Sequence, residues 1–108
     1  PVSQREVNNT SAQALFMLNN SFTIDMSDLL AKRLVKVESK VEKQITLAFQ
    51  LCFARKASFN ELLAAKQLYQ KFYSSSDLKG KDSKTKATIA LSGICQSLFS
   101  TAEFRYLN

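Results

Sequence analysis

The stretch 45–63, ITLAFQLCFARKASFNELL, constrains the fold of this chain more than any other part of it. Apolar side chains recur here at helical spacing and cover most of the circumference of one helix. The main stripe is Val41, Ile45, Ala48, Phe49 and Cys52, and it is widened by Leu47, Leu51 and Phe53. A helix of this kind is usually covered by other helices on several sides, so we predict that it lies at the centre of the fold.

A break at 55–57 separates this central helix from a second helix that carries its own cap. Ser58 and Glu61 form a capping box, in which the Ser58 hydroxyl accepts from the Glu61 amide and the Glu61 carboxylate accepts from the Ser58 amide. The connection is short, which favours two antiparallel helices. We therefore predict a second helix from Ser58 to about Tyr73.

Further helices are predicted on both sides of this pair. We expect a short helix over Ser11–Leu18 and a longer one over Phe22–Val37, with a capping box at Ser39–Glu42 before the central helix. The polar segment 74–83 predicts a loop, and a last helix follows over about Lys84–Ser100.

Helical spacing also predicts which side chains face inward. On the helix 22–37 they are Phe22, Met26, Leu29, Leu30, Leu34 and Val37, and on the last helix they are Ala87, Leu91, Ile94, Cys95 and Leu98. Gly93 on the last helix either lets a neighbouring helix approach closely or is a plain small packing residue, and we favour the second interpretation. We expect Phe104, in the tail after the last helix, to fold back onto the bundle.

The predicted fold class is all-α, a compact bundle of about four longer helices plus a short N-terminal helix. With 108 residues the chain makes one domain, and its two glycines and one proline disfavour sandwiches, barrels and glycine-rich phosphate loops. We interpret residues 10–108 as a single helical domain and residues 1–9 as a lead-in from an upstream region. The first residues include neither a Met nor a signal-like apolar run, so we expect a fragment of a longer protein.

The residue types present also limit the chemistry. Histidine is absent, which excludes a Ser–His or Cys–His catalytic pair within this chain. Asp25 and Asp28 suit the dipole of a helix start and need no metal to explain them. We predict no catalytic, cofactor-binding or metal-binding residues here, and no membrane span, because no run of about 18 apolar residues occurs.

The formal net charge is +6, and the excess of lysine and arginine lies after residue 30. A basic surface of this kind is either simply solvated or contacts an anionic polymer, such as a nucleic acid or an acidic glycan. Nucleic acid is the less favoured partner, because the aromatic residues lie mostly at core spacing and form no ladder with the basic ones.

Cys52 and Cys95 both lie among apolar residues at helical spacing. They fit buried free thiols that act as small hydrophobic groups. A disulfide between the two helices remains open, since only geometry decides it.

Three segments in order resemble the C-terminal part of the planctomycete-specific domain of unknown function that ends large exported proteins, often with a cytochrome c domain upstream. They are 13–22, QALFMLNNSF; 48–62, AFQLCFARKASFNEL; and 95–106, CQSLFSTAEFRY. The chain departs from the family pattern at Ser21 and Ala57, where the family has proline, at Ala54, where it has glycine, and at Ser100, where it has asparagine.

The resemblance implies no established activity and carries no catalytic residue onto this chain. It does imply a parent protein that works outside the cytoplasm, in the periplasm or cell envelope, and this setting raises the odds of a Cys52–Cys95 disulfide, although free thiols stay the favoured interpretation. Of the residues that match the family pattern, Arg55, Glu61 and Glu103 are interpreted as structural, together with Ser58. We hypothesise that an Arg55–Glu103 ion pair ties the tail to the helix pair.

Our leading hypothesis from the sequence is a non-catalytic helical domain that serves structure or interaction, with the upstream domains of its own parent chain as partners. Two alternatives remain: binding of an anionic polymer through the basic surface, and an accessory part of an enzyme whose catalytic residues lie upstream.

Overall fold

The computed structural model describes residues 21–107, with side chains through residue 101, and its regular secondary structure is entirely helical over that range. Helix α1 comprises residues 21–37, α2 is Val41–Phe53, α3 is Phe59–Tyr73 and α4 is Ser83–Leu107, with a short 3-10 helix at Ser76–Leu78 between α3 and α4. The predicted all-α bundle is confirmed. The predicted helix 11–18 and the lead-in 1–9 lie outside the described residues.

The core lies where α2, α3 and α4 meet, and α1 contributes to it. Ile45 and Ala48 of α2 are fully buried, as the sequence predicts for a central helix. Burial of apolar side chains stabilises such a core by about 25 cal/mol per Å² removed from water. The buried apolar cluster is Ala31, Leu34, Ile45, Ala48, Phe49, Ala65, Tyr69, Ala90, Leu91, Ile94, Cys95 and Leu98.

The predicted inner face of α1 is largely wrong. Only Leu34 of that set is fully buried, and Leu30 packs partly against the core. The side chains that the structure buries on α1 are Thr23, Ser27, Ala31 and Leu34. Four side chains of the predicted inner face are exposed instead: Phe22, Met26, Leu29 and Val37.

Small side chains explain why this face of α1 points inward. The spacing between two packed helices depends on the side chains at their contact, so small residues every fourth position let α1 lie close to its neighbours. Ser92 of α4 donates a hydrogen bond of 2.5 Å to Asp28 of α1, which fixes the contact between them. The Ser27 hydroxyl is buried and has no hydrogen-bond partner among the described residues.

The capping box predicted at Ser39–Glu42 is also wrong. Helix α2 begins one residue later than that box requires, with Lys40 at its N-cap and no side-chain cap hydrogen bond. The amide nitrogen of the Gln44 side chain instead donates to the carbonyl of Glu38, 2.8 Å away, and so links the end of α1 to the start of α2.

Helices α3 and α4 cross closely at Gly93. A Cβ atom built there would lie 2.6 Å from Cε2 of Phe72, so the aromatic ring occupies the space that any other side chain would need. The structure thus shows the close approach of a neighbouring helix at Gly93, which is the less favoured of the two roles that the sequence suggests.

Helix α4 is longer than predicted. It continues to Leu107, whereas the sequence predicts an end near Ser100 and a tail that folds back. No glycine or proline occurs after Ser100 to stop a helix, and the segment therefore extends it. The side chain of Phe104 lies outside the described residues.

Candidate functional site

The turn between α2 and α3 begins with a residue in the left-handed conformation. Ala54 has φ 57° and ψ 31°, and its amide donates to the carbonyl of Gln50 at 2.9 Å. This is the conformation that glycine adopts at the end of many helices. The family pattern that the chain resembles has glycine at this position, and alanine adopts this conformation less readily than glycine does.

Arg55 and Glu61 form a two-point ion pair across this turn. Nη1 of Arg55 lies 2.7 Å from Oε1 of Glu61, and Nη2 lies 2.8 Å from Oε2. Nη1 also donates to the carbonyl of Lys56 at 3.1 Å, and the guanidinium lies 5.5 Å from the centre of the Phe53 ring. Such two-point pairs hold a fixed geometry better than single contacts do.

Ser58 completes the arrangement with the predicted capping box. Its amide donates to Oε1 of Glu61 at 2.9 Å, and the Glu61 amide donates to Oγ of Ser58 at 3.1 Å. The Arg55 guanidinium, followed by the Ser58 amide, lowers the pKa of Glu61 to about 2. We call Arg55, Ser58 and Glu61 the turn network.

The turn network is suited to holding the chain in place. Both carboxylate oxygens of Glu61 accept hydrogen bonds, and a carboxylate with a pKa of about 2 is a poor base near neutral pH. Its partner Arg55 uses both terminal nitrogens within the turn. The predicted structural roles of these residues therefore agree with their geometry.

Two large apolar side chains at the start of α3 are exposed to solvent. Phe59 directly follows Ser58 and is 80% exposed, and Leu63 is also exposed. Phe59 and Leu63 lie one helical turn apart on the same face of α3, and we call these two side chains the apolar tip. The sequence predicts Phe59 and Leu63 as packing residues of α3, and this prediction is wrong. The side of α3 that faces the core carries Ala65 and Tyr69, so Phe59 and Leu63 stay outside.

Glu103 lies on the extended part of α4. Its side chain is outside the described residues, so the Arg55–Glu103 pair stays a prediction.

Cys52 and Cys95 are free thiols in the structure. Cys95 is fully buried, while Cys52 is partly exposed. Burial raises the pKa of the Cys95 thiol to about 12, with a smaller contribution from Cys52. Both cysteines thus pack as small hydrophobic groups, as one of the two interpretations of the sequence expects.

Two of the surface depressions that involve α1 and α4 hold charged side chains from both helices or from the loop before α4. A groove of about 620 Å³ holds the carboxylates Asp28 and Asp77 beside Phe72 and Ser92. A smaller one of about 350 Å³ is lined by Lys32 of α1 and by Lys84 and Thr88 of α4. The second depression brings together basic side chains that lie 52 positions apart in the sequence, a juxtaposition that helical spacing alone does not reveal.

Over the part of the chain that the structure describes, no group of three or more cysteine, aspartate or glutamate side chains could hold a metal ion. None of the helices in that part is long and apolar enough to cross a membrane.

The fold and the turn define an all-α domain in which Arg55, Ser58 and Glu61 hold a helical hairpin together. A family profile described as PSD1, protein of unknown function (DUF1553), matches residues 1–69. The match covers 69 of the 108 residues, and the chain belongs to this family. It includes the first two of the three segments on which the resemblance depends, and 95–106 lies beyond it. Comparison with curated proteins and with solved structures finds no significant match.

Proposed function

We propose that this chain is a non-catalytic helical domain that docks onto the upstream part of its own parent protein through the apolar tip. The observation that carries the proposal is the 80% exposure of Phe59, a large aromatic side chain held beside an ordered turn. Exposed aromatic residues of this kind are the ones that contribute most to binding at protein interfaces.

The turn network supports this role because it fixes the position of Phe59. The residue directly follows the capping residue Ser58, whose two hydrogen bonds with Glu61 set the start of α3. A side chain that is already held in its binding position loses less conformational entropy when a partner binds. The ion pair and the cap thus preorganise the apolar tip.

The proposal that the domain is non-catalytic rests on how its polar groups are used. Arg55 and Glu61 are committed to each other, and Asp28 accepts a hydrogen bond from Ser92. Each of these contacts stabilises a junction between helices.

We also propose, from the family resemblance, that the parent protein is exported and works outside the cytoplasm. Cell fractionation of the parent tests this proposal, and recovery of the protein only in the cytoplasm would contradict it.

Calorimetric titration of the chain with the upstream part of its parent tests the docking. We expect Phe59→Ser to weaken binding by at least about tenfold, as loss of a central aromatic anchor does. Ile89→Ser is the matched control, because Ile89 of α4 is an exposed apolar residue outside the tip, and it should leave the affinity unchanged. Equal affinities for the wild type and Phe59→Ser would overturn the proposal.

A second candidate function is binding of an anionic polymer, such as an acidic glycan, and the Lys32–Lys84 depression favours it. Two cations from separate helices, Lys32 and Lys84, line one concave surface together with the carboxylate of Asp28. The affinity for heparin should then fall steeply as the salt concentration rises. The Lys32→Gln/Lys84→Gln double variant should show a weaker dependence of the affinity on salt concentration. Absence of heparin binding at about 50 mM salt would remove this candidate.

A further inference from the structure

Helix α1 carries an exposed apolar stripe on the side that is turned away from its buried residues. Phe22 is 60% exposed, Met26 40%, Leu29 61% and Val37 59%. These positions recur at helical spacing and extend over 15 residues, a length of about 22 Å. Exposed apolar surface arranged in one line is typical of an interface.

The charges beside this stripe change sign along the helix. Asp25 lies near its start and Lys36 lies near its end, while Arg33 lies within the stripe, between Leu29 and Val37. Asp25 and Lys36 are 11 residues apart, about three helical turns, so they lie along the same edge of the stripe. All three side chains are exposed, and none of them forms an ion pair with another residue in the part of the chain described by the structure.

We propose that the apolar stripe of α1 binds the α1 stripe of a second copy of this chain in antiparallel orientation. A two-fold axis near Leu29 and Leu30 places Phe22 opposite Val37 of the other copy. In antiparallel helix pairs the same edge of each helix meets, which brings Asp25 beside Lys36 of the other copy. Both ends of the stripe then gain opposite-charge contacts at once.

The alternative orientation of two copies does not satisfy these charges. A parallel pair would bring the acidic starts together and the basic ends together, and like charges at an interface disfavour association. The two-fold arrangement is self-complementary, which is the condition for a symmetric dimer. We expect a weak dimer, because one pair of short helix faces is smaller than the interface of an obligate dimer.

The central contact is tested by sedimentation velocity on the whole 108-residue chain at about 1 to 300 µM, the range in which a weak dimer forms. The wild type should show concentration-dependent dimerisation, and Leu29→Asp should weaken it by at least about tenfold. Ile24→Ser is the matched control, since Ile24 is an exposed apolar residue on the opposite side of the same helix, and it should dimerise like the wild type.

The antiparallel orientation is tested by exchanging charges. Asp25→Lys and Lys36→Glu should each weaken the dimer by about tenfold, since two contacts become repulsive in each symmetric dimer. The double variant recreates the opposite-charge pairs and should return to within about threefold of the wild type. Circular dichroism checks that each variant keeps its helix content.

Three results would overturn the proposal. A wild type that is monomeric at every concentration would leave the stripe to another occupant, such as the upstream part of the parent chain. A dimer that is insensitive to Leu29→Asp would place the interface elsewhere. A double charge variant that dimerises more weakly than either single variant would exclude the antiparallel orientation.

Discussion

The ring of Phe72 on α3 lies directly over the backbone of Gly93 on α4. A Cβ atom at position 93 would approach Cε2 of the ring to 2.6 Å and Cδ2 to 2.7 Å, closer than such atoms come in folded proteins. Glycine therefore sets the distance between the two helices, because only a residue without a side chain leaves room for the ring. The same helices supply much of the buried core.

Gly93→Ala should lower the free energy of unfolding by about 1–3 kcal/mol, the usual cost of forcing extra atoms into a packed contact. The clash involves the ring of Phe72, so replacing that ring with a smaller side chain should relieve it. We expect the Gly93→Ala/Phe72→Leu double variant to lose less stability than the sum of the two single variants. Urea unfolding measures all three, and strictly additive losses would contradict the contact.

Ala54→Gly should stabilise the chain by about 0.5–1 kcal/mol, because Ala54 occupies a left-handed conformation that glycine adopts without strain. Gly80 offers the converse control. It has φ +88° and nothing within 4 Å of a built Cβ, so Gly80→Ala should destabilise through backbone strain alone. The melting temperatures of the two variants should therefore shift in opposite directions relative to the wild type. A lower melting temperature for Ala54→Gly would contradict the left-handed conformation of residue 54.

The stability contributed by Glu61 should depend on pH in the acidic range. Its folded-state pKa of about 2 lies below its ordinary value, so this stability is fully present above about pH 4.3 and is lost as the pH falls towards 2. The difference in urea midpoint between the wild type and Glu61→Gln should shrink as the pH is lowered from 6 to about 2.5. Glu42→Gln is the control, since Glu42 lies 4.0 Å from Lys66 in an exposed pair. A difference that does not change with pH would argue against the ion pair with Arg55.

Cys52 should react with a thiol reagent well before Cys95. Burial raises the pKa of both thiols, and Cys95 is fully buried with a pKa of about 12, so it is protonated and inaccessible near pH 8. Mass spectrometry after brief alkylation should find the label on Cys52. Equal labelling of the two residues in the folded chain would mean that the last helix opens readily. Recovery of a Cys52–Cys95 disulfide would support the proposal that the parent protein works outside the cytoplasm.

The helices and the capping box at Ser58 could be predicted from the sequence because they depend on local patterns. Apolar spacing locates α2 and the buried side of α4, and the Ser58–Glu61 box needs only residues three positions apart. The structure confirms these predictions. Local signals therefore suffice for the elements that surround the turn network.

The orientation of α1 could not be predicted in the same way. Hydrophobic spacing selects Phe22, Met26 and Leu29, but the bundle buries the small residues Ser27 and Ala31 beside α4. Which side of α1 is buried depends on how closely α1 and its neighbour approach each other. That distance depends on the neighbouring helix and cannot be read from the α1 sequence alone. The exposure of Phe59 has the same origin, since the packing of Ala65 and Tyr69 decides which side of α3 faces outward.

Hydrogen exchange on the chain, with and without the upstream part of its parent, tests the proposed docking role most directly. We expect the partner to slow exchange of the amides in 51–63, around the apolar tip, because binding there excludes water and suppresses opening of the turn. Exchange near Ile89 of α4 should stay the same. Protection confined to other helices, or no protection at all at a saturating concentration, would contradict the role assigned to Phe59 and the turn network.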